Sequence, residues 1–260
     1  FLKTQIKKAF KSFLIPKDLI KHKNYQEIKK TIITFINLYY ANNLSFENLK
    51  TFLNQKKSPL LFLIYAIIHF YEKEKIQNHY LDFDDLIKEA TKLCKQNLPF
   101  KEIIIDEFQD TSLLRLDFIK EIIKNSNANL TVVGDDFQSI YKFSGCNLDI
   151  FLNFQNYFPN TKIHKIQNTY RNSNELIKIA GDFVMKNKIQ IHKDLKSNIH
   201  LENPIKLIYF FDRYKTILKT IKAIKNGEIL ILGRNNFDIY KYIPKDKITW
   251  LNDGYFKLEN

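Results

Sequence analysis

Along residues 1–79 apolar side chains recur at helical spacing, as in Ile28, Ile32, Ile33, Ile36 and Tyr40, with no convincing alternating stretch among them. The pattern predicts an all-helical lobe, punctuated by Pro16 and Pro59, in which Ser45 with nearby Glu47 opens a short helix. The longest unbroken apolar run, Leu60 to Ile68, falls far short of the ~20 residues a bilayer crossing needs and reads as a buried helix. No membrane partner is expected.

From residue 80 the pattern changes. A helix over Asp84–Cys94 and a break at Pro99 precede the β-branched run Ile103-Ile104-Ile105, which stops abruptly at Asp106-Glu107 and predicts a buried strand with carboxylates at its carboxyl end. Asp110, Thr111 and Ser112 offer N-caps to a helix with apolar positions Leu114, Phe118, Ile119, Ile122 and Ile123. A second strand, Leu130 to Val133, closes on Gly134-Asp135-Asp136, and a helical stretch runs on to Phe158. A third strand near Lys162–Ile166 leads to a helix from about Asn174 to Met185, and strands Ile205–Phe211 and Glu228–Gly233 bracket a helix centred on Ile217–Ile224. This alternation predicts an α/β fold with parallel sheet, divided into a helical lobe (1–79), a first α/β part (80–166) and a second (167–260).

Composition narrows the class. The chain has 260 residues, 45% hydrophobic and 14% aromatic among 27% charged, which is the make-up of a folding chain. Two cysteines, Cys94 and Cys146, without metal-type spacing read as core residues in a reducing, cytoplasmic setting. The net charge of +13 invites a phosphate-bearing partner, although 37 of the 41 basic residues are lysines, a bias that an AT-rich genome produces unaided. Their distribution says more: residues 1–80 carry 14 basic against 5 acidic side chains, residues 81–166 carry 10 against 13, and residues 167–260 carry 17 against 10. An acidic centre between basic flanks suits a bound cation between phosphate-binding surfaces.

Ligands of open parallel sheets lie at the carboxyl ends of the strands, and here two strands end in acids. One carboxylate to hold a divalent cation and the next to orient or deprotonate water is what nucleotide hydrolysis asks for, although strand-terminal acids are often only caps. The segments Ile103–Ser112, Val132–Gly145 and Gln167–Ser173, with Leu81-Asp82-Phe83-Asp84-Asp85-Leu86 upstream, resemble successive motifs of superfamily 1 DNA helicases of the UvrD/Rep type, in family order and spacing. The wording from Gly134 to Gly145 most resembles the DNA helicase IV branch, and the specific motifs cover about residues 80–185.

The resemblance implies partial RecA-like parallel-sheet domains of the P-loop NTPase type with an N-terminal all-helical subdomain. It implies ATP and Mg²⁺ as cofactors, and single-stranded or partly duplex DNA as the partner during repair or recombination. Asp106 would bind Mg²⁺, Glu107 would activate water, and Gln138 would sense the γ-phosphate. Tyr170 would lie against the adenine, and Arg171 would reach the γ-phosphate as an arginine finger in cis. Tyr141 and Phe143 would stack on bases; many relatives have Trp where Phe143 stands, so stacking would continue with less area.

One family feature is missing. The phosphate-cradling pattern Gly-x-x-x-x-Gly-Lys-Ser/Thr does not occur, since Gly134, Gly145, Gly181, Gly227, Gly233 and Gly254 form no such pair. With Phe1 first and Met185 the only methionine, the sequence is expected to be an internal piece of a longer polypeptide, possessing a sheet edge through which copies could pair. The competing reading is a DNA- or protein-binding module without catalysis. A metal-dependent nuclease fits less well, because none of the six histidines stands at ligand spacing. Residues 1–260 alone are expected to hydrolyse no ATP above background and to unwind no DNA; robust DNA-stimulated phosphate release from the purified chain would refute this.

Overall fold

The computed structural model describes residues 25–56, 59–94, 97–224, 229–233, 248–250 and 256–258, so the expectations for residues 1–24, with the break at Pro16, and for Glu228 lie outside it. The chain divides into two compact units, residues 1–172 with 177–198 and residues 173–176 with 199–260.

Among the described residues the first unit begins with helices α1 (Tyr25–Ala41), α2 (Phe46–Lys56), α3 (Pro59–Asn78) and α4 (Phe83–Leu93). The apolar stripes of α1, α2 and α3 meet in one core: Ile32 and Ile36 of α1, Leu49 of α2, and Ile64, Ile67, Ile68 and Tyr71 of α3 are all buried. Ser45 does open α2, by a reciprocal cap. Its Oγ accepts the Asn48 N–H at 3.1 Å while the Asn48 Oδ1 accepts the Ser45 N–H at 3.0 Å, so Asn48 takes the part expected of Glu47.

The acids at the start of α4 have a structural task. The Asp82 Oδ1 accepts the Asp85 N–H at 2.8 Å, and the Asp85 Oδ2 accepts the Asp82 N–H at 3.0 Å, capping α4 from both sides. Lys75, 5% exposed, reaches from α3 to Glu72 (3.0 Å), Asp82 (3.2 Å) and Asp85 (2.8 Å). Its ammonium also lies 5.0 Å from the Tyr40 ring centroid and 4.9 Å from that of Tyr71. The Tyr71 hydroxyl donates to the Asp82 Oδ2 at 2.9 Å, and Tyr40 donates to Glu72. Burial alone would raise the Asp82 carboxyl, but the Asp85 N–H and the Lys75 charge outweigh it and hold the value low.

The α/β part follows. Strand β1 (Glu102–Ile105) pairs in parallel with β2 (Asn129–Val132), Ile103 opposite Leu130 and Ile105 opposite Val132. Helix α5 (Leu113–Ser126), capped by the Ser112 Oγ, makes the crossover, and Asn127 ends it in the left-handed region at φ 54°. Leu116 and Ile119 of α5 pack with Phe108, Ile150 and Phe154 against one face of the sheet. Ile150 and Phe154 lie on the short helices α6 (Leu148–Leu152) and α7 (Phe154–Tyr157), where a helical stretch is expected.

Three strand expectations change. Ile103 and Ile105 are half-buried, but Ile104 is 73% exposed, because only one face of the two-stranded sheet is covered by described residues. Residues 162–166, 205–211 and 229–233 form no strand. An extended segment satisfies its N–H and C=O groups only against a neighbouring strand, and around 162–166 the pairing is a single bridge between Asn168 and Lys196. Helices α8 (Asn174–Val184) and α9 (Arg213–Ala223) stand where the periodicity places them. The antiparallel pair of β3 (Ile248–Trp250) and β4 (Phe256–Leu258) is an addition to the expected elements. Cys94 and Cys146 are half-buried rather than core residues, and no described helix is long and apolar enough to cross a membrane.

Lys75→Met leaves three carboxylates facing one another around a buried gap. It is expected to cost about 2–4 kcal/mol, read from urea unfolding at neutral pH. Because the Asp82 value is depressed in the fold, its contribution is complete above the ordinary carboxylate range and drains away as pH falls. The stability gap between wild type and variant therefore narrows in acid.

Candidate functional site

The parallel register places the loops after β1 and β2 side by side. Val133 N–H donates to the Ile105 carbonyl at 2.8 Å and Phe108 N–H donates to the Val133 carbonyl at 2.9 Å, so the acids that follow each strand come from adjoining backbone. Asp106 is exposed at the end of β1, its Oδ1 accepting the Glu107 N–H at 2.9 Å. Glu107 has φ 50°, in the left-handed region that non-glycine residues occupy at a cost of about 1 kcal/mol or more. That turn starts the 3₁₀ segment Phe108–Asp110.

The two loops are joined by Gln109, which is 1% exposed. Its Nε2 donates to the Glu107 Oε2 at 2.8 Å, and its Oε1 accepts the Asp135 N–H at 3.0 Å. Gly134 makes room for it: a Cβ there would lie 2.7 Å from the Gln109 Oε1 and 2.8 Å from the Phe151 ring. Asp135 in turn caps the 3₁₀ turn Asp136–Gln138, its Oδ1 accepting the Phe137 N–H at 3.0 Å and its Oδ2 the Gln138 Nε2 at 2.8 Å. Glu107, Gln109, Asp135 and Gln138 thus form one hydrogen-bonded series across the strand ends, with the Gln138 side chain exposed.

A lysine far along the chain completes the cluster. Lys193 pairs with both Asp135 and Asp136, its ammonium 4.1 Å from the Phe137 ring centroid. Asp136 is 1% exposed and also accepts the Ile191 N–H at 2.8 Å. Burial alone pushes the Asp135 carboxyl up, but the hydrogen bonds from Lys193 and Gln138 hold it below the ordinary carboxylate value. Burial, followed by the nearby Glu107 charge, pushes the Asp110 carboxyl up, and its Oδ1 is buried without a hydrogen-bond partner.

The aromatic pair sits on the next turn. Tyr141 is 46% and Phe143 63% exposed, with ring centroids 6.0 Å apart and planes inclined at 50°. Gly145, at φ 95°, closes that turn against α1, where a Cβ would lie 2.1 Å from the Ala41 Cβ. The structure therefore brings together Asp106, Glu107 and Gln138, with Tyr141 and Phe143 on the adjoining turn. Tyr170 is 81% exposed and Arg171 is exposed; among the described residues the Arg171 guanidinium forms no ion pair with these acids. Sequence reasoning missed Gln109 and Lys193. Gln109 stood inside a recognised motif without a role, whereas Lys193 carried no local signal.

A family model described as the UvrD/REP helicase N-terminal domain matches residues 2–159, more than half of the chain. The chain is 36% identical over 143 residues to a probable DNA helicase II homolog of Mycoplasma capricolum, covering 52% of this chain and 20% of that protein. It is 32% identical over 190 residues to an ATP-dependent DNA helicase Rep of Buchnera aphidicola (65% and 29%). With DNA helicase IV of Escherichia coli it shares 34% over 160 residues (59% and 23%). The matches thus span between a fifth and under a third of these relatives.

Gly134→Ala drives a methyl group into the buried Gln109 amide and is expected to cost about 1–3 kcal/mol in urea unfolding. An unchanged midpoint means that the loop yields and the close approach constrains nothing.

Proposed function

The chain belongs to the UvrD/Rep helicase family, and from that premise we propose that it supplies the hydrolytic and base-stacking middle of an ATP-dependent DNA motor. The observation that carries this reading is the series from Glu107 through Gln109 and Asp135 to Gln138 at the carboxyl ends of two parallel strands. In RecA-like terms β1 and β2 are neighbouring strands of a larger sheet, and residues 80–166 and 167–260 contribute to the two nucleotide-binding lobes, with 1–79 as the helical accessory. The crossover through α5 and the acids at the strand ends support that assignment.

Each side chain has a task. Glu107 accepts a proton from, or orients, the water that attacks the γ-phosphate, held in place by the Gln109 amide. Gln138, with one end on Asp135 and its body in solvent, is free to donate to phosphate and accept from water. Asp106 fits a magnesium ion of the kind held by one or two carboxylates together with substrate phosphates, being exposed and set beside Glu107 at the strand end. When bound, that ion neutralises charge developing on the phosphates. Tyr170, largely in solvent, supplies an open ring for the adenine, and Arg171 the planar guanidinium for the γ-phosphate. Tyr141 and Phe143 offer two exposed rings on one turn to successive bases of single-stranded DNA. The phosphate-cradling pattern does not occur within these 260 residues, so the turnover proposed here is that of a chain that includes it.

The test is DNA-stimulated ATP hydrolysis by the protein from the complete gene. Glu107→Gln is expected to lower kcat by roughly a hundredfold or more while nucleotide still binds. Turnover equal to that of the wild type removes Glu107 from the mechanism.

A further inference from the structure

We propose that Lys193 is a positioning residue for Gln138, acting through Asp135; the inference rests on the motor reading above and extends it to a residue outside the motifs. Asp135 and Asp136 are adjacent carboxylates after β2, and the Asp136 side chain is wholly enclosed. Two carboxylates set side by side repel each other unless a cation lies between them. The Lys193 ammonium is that cation, with a side chain only 17% exposed, pairing with both acids and covered by the Phe137 ring.

The division of labour at Asp135 gives the pairing its consequence. One oxygen, Oδ1, takes Lys193 and the Phe137 N–H; the other, Oδ2, takes the Gln138 amide at 2.8 Å. Fixing Oδ1 fixes the plane of the carboxylate, and therefore the direction in which Oδ2 holds Gln138. Lys193 is itself held in place by its own segment. Ile191 N–H donates to Asp136 at 2.8 Å, Lys196 N–H donates to the Gln167 carbonyl at 2.8 Å, and Thr169 N–H donates to the Lys196 carbonyl at 2.9 Å. The lysine thus arrives on a segment whose backbone is tied on both sides of it. Without it the two carboxylates repel each other, Asp135 turns, and Gln138 loses its anchor while every group expected to touch nucleotide remains.

The experiment measures DNA-stimulated ATP turnover by the protein from the complete gene, comparing wild type, Glu107→Gln, Lys193→Met, Lys193→Arg, Gln138→Ala and the Lys193→Met/Gln138→Ala pair. Lys193→Met is expected to lower kcat on the order of tenfold to a hundredfold with KM for ATP changed by less than about threefold, and Lys193→Arg to restore most of it. In the Gln138→Ala background Lys193→Met costs no further kcat, the signature of one residue acting through another. An additive loss in the double variant overturns the proposal, as does a Lys193→Met kcat within about twofold of wild type. Should Lys193→Met fail to fold, Asp135→Asn takes its place in the cycle, since it leaves the Asp136–Lys193 pair intact; absorption of its loss by Gln138→Ala supports the proposal and additivity overturns it. A wild type without DNA-stimulated turnover overturns the motor reading and this proposal with it. Turnover that Glu107→Gln abolishes and Lys193→Met leaves untouched overturns this proposal alone.

Discussion

One buried amide, that of Gln109, is shared between the two loops on which the proposed chemistry depends. Strands β1 and β2 are four residues each, and a two-stranded ribbon of that length carries little rigidity of its own. Its ends are stiffened by a side chain that donates to one loop and accepts from the other while excluded from water, where an unmade hydrogen bond is expensive. Gly134 lies so close to that amide that no side chain fits between them. The placing of Glu107 relative to Asp135, and through it of Gln138, follows.

The helical part contributes by the same means, polar groups buried in company. Lys75 gathers Glu72, Asp82 and Asp85 between α3 and α4, and α4 packs beside α5, the crossover of the sheet. On the other side, Gly145 lets the aromatic turn approach α1 closely enough for Ala41 to fill the space of a side chain. The rings of Tyr141 and Phe143 thus stand on a turn braced by the helical core, while Gln138 three residues before Tyr141 belongs to the strand-end cluster.

Local pattern made part of this legible. A β-branched run that stops at two acids, followed by capping residues and a helical stripe, announces a strand, its carboxyl end and its crossover, and β1, Ser112 and α5 stand where that reading puts them. Long-range pairings leave no such trace. The Gln109–Asp135 bond spans 26 residues and the Lys193–Asp135 pair 58, so neither has a period or spacing to be read, and one lysine among 37 looks like any other. Apolar segments such as Ile205–Phe211 misled for the opposite reason: their composition suits a strand, but a strand is made by its neighbour. Asp82 and Asp85 were visible as a motif, yet their work as caps and lysine ligands emerges only once α3 is laid beside α4.

The backbone at Glu107 also filters what mutation can leave behind. In a left-handed conformation, valine, isoleucine and threonine are sterically penalised, while glycine, asparagine and aspartate are accommodated. Replacing Glu107 by glycine or asparagine would therefore ease the backbone while removing the carboxylate that the Gln109 amide holds.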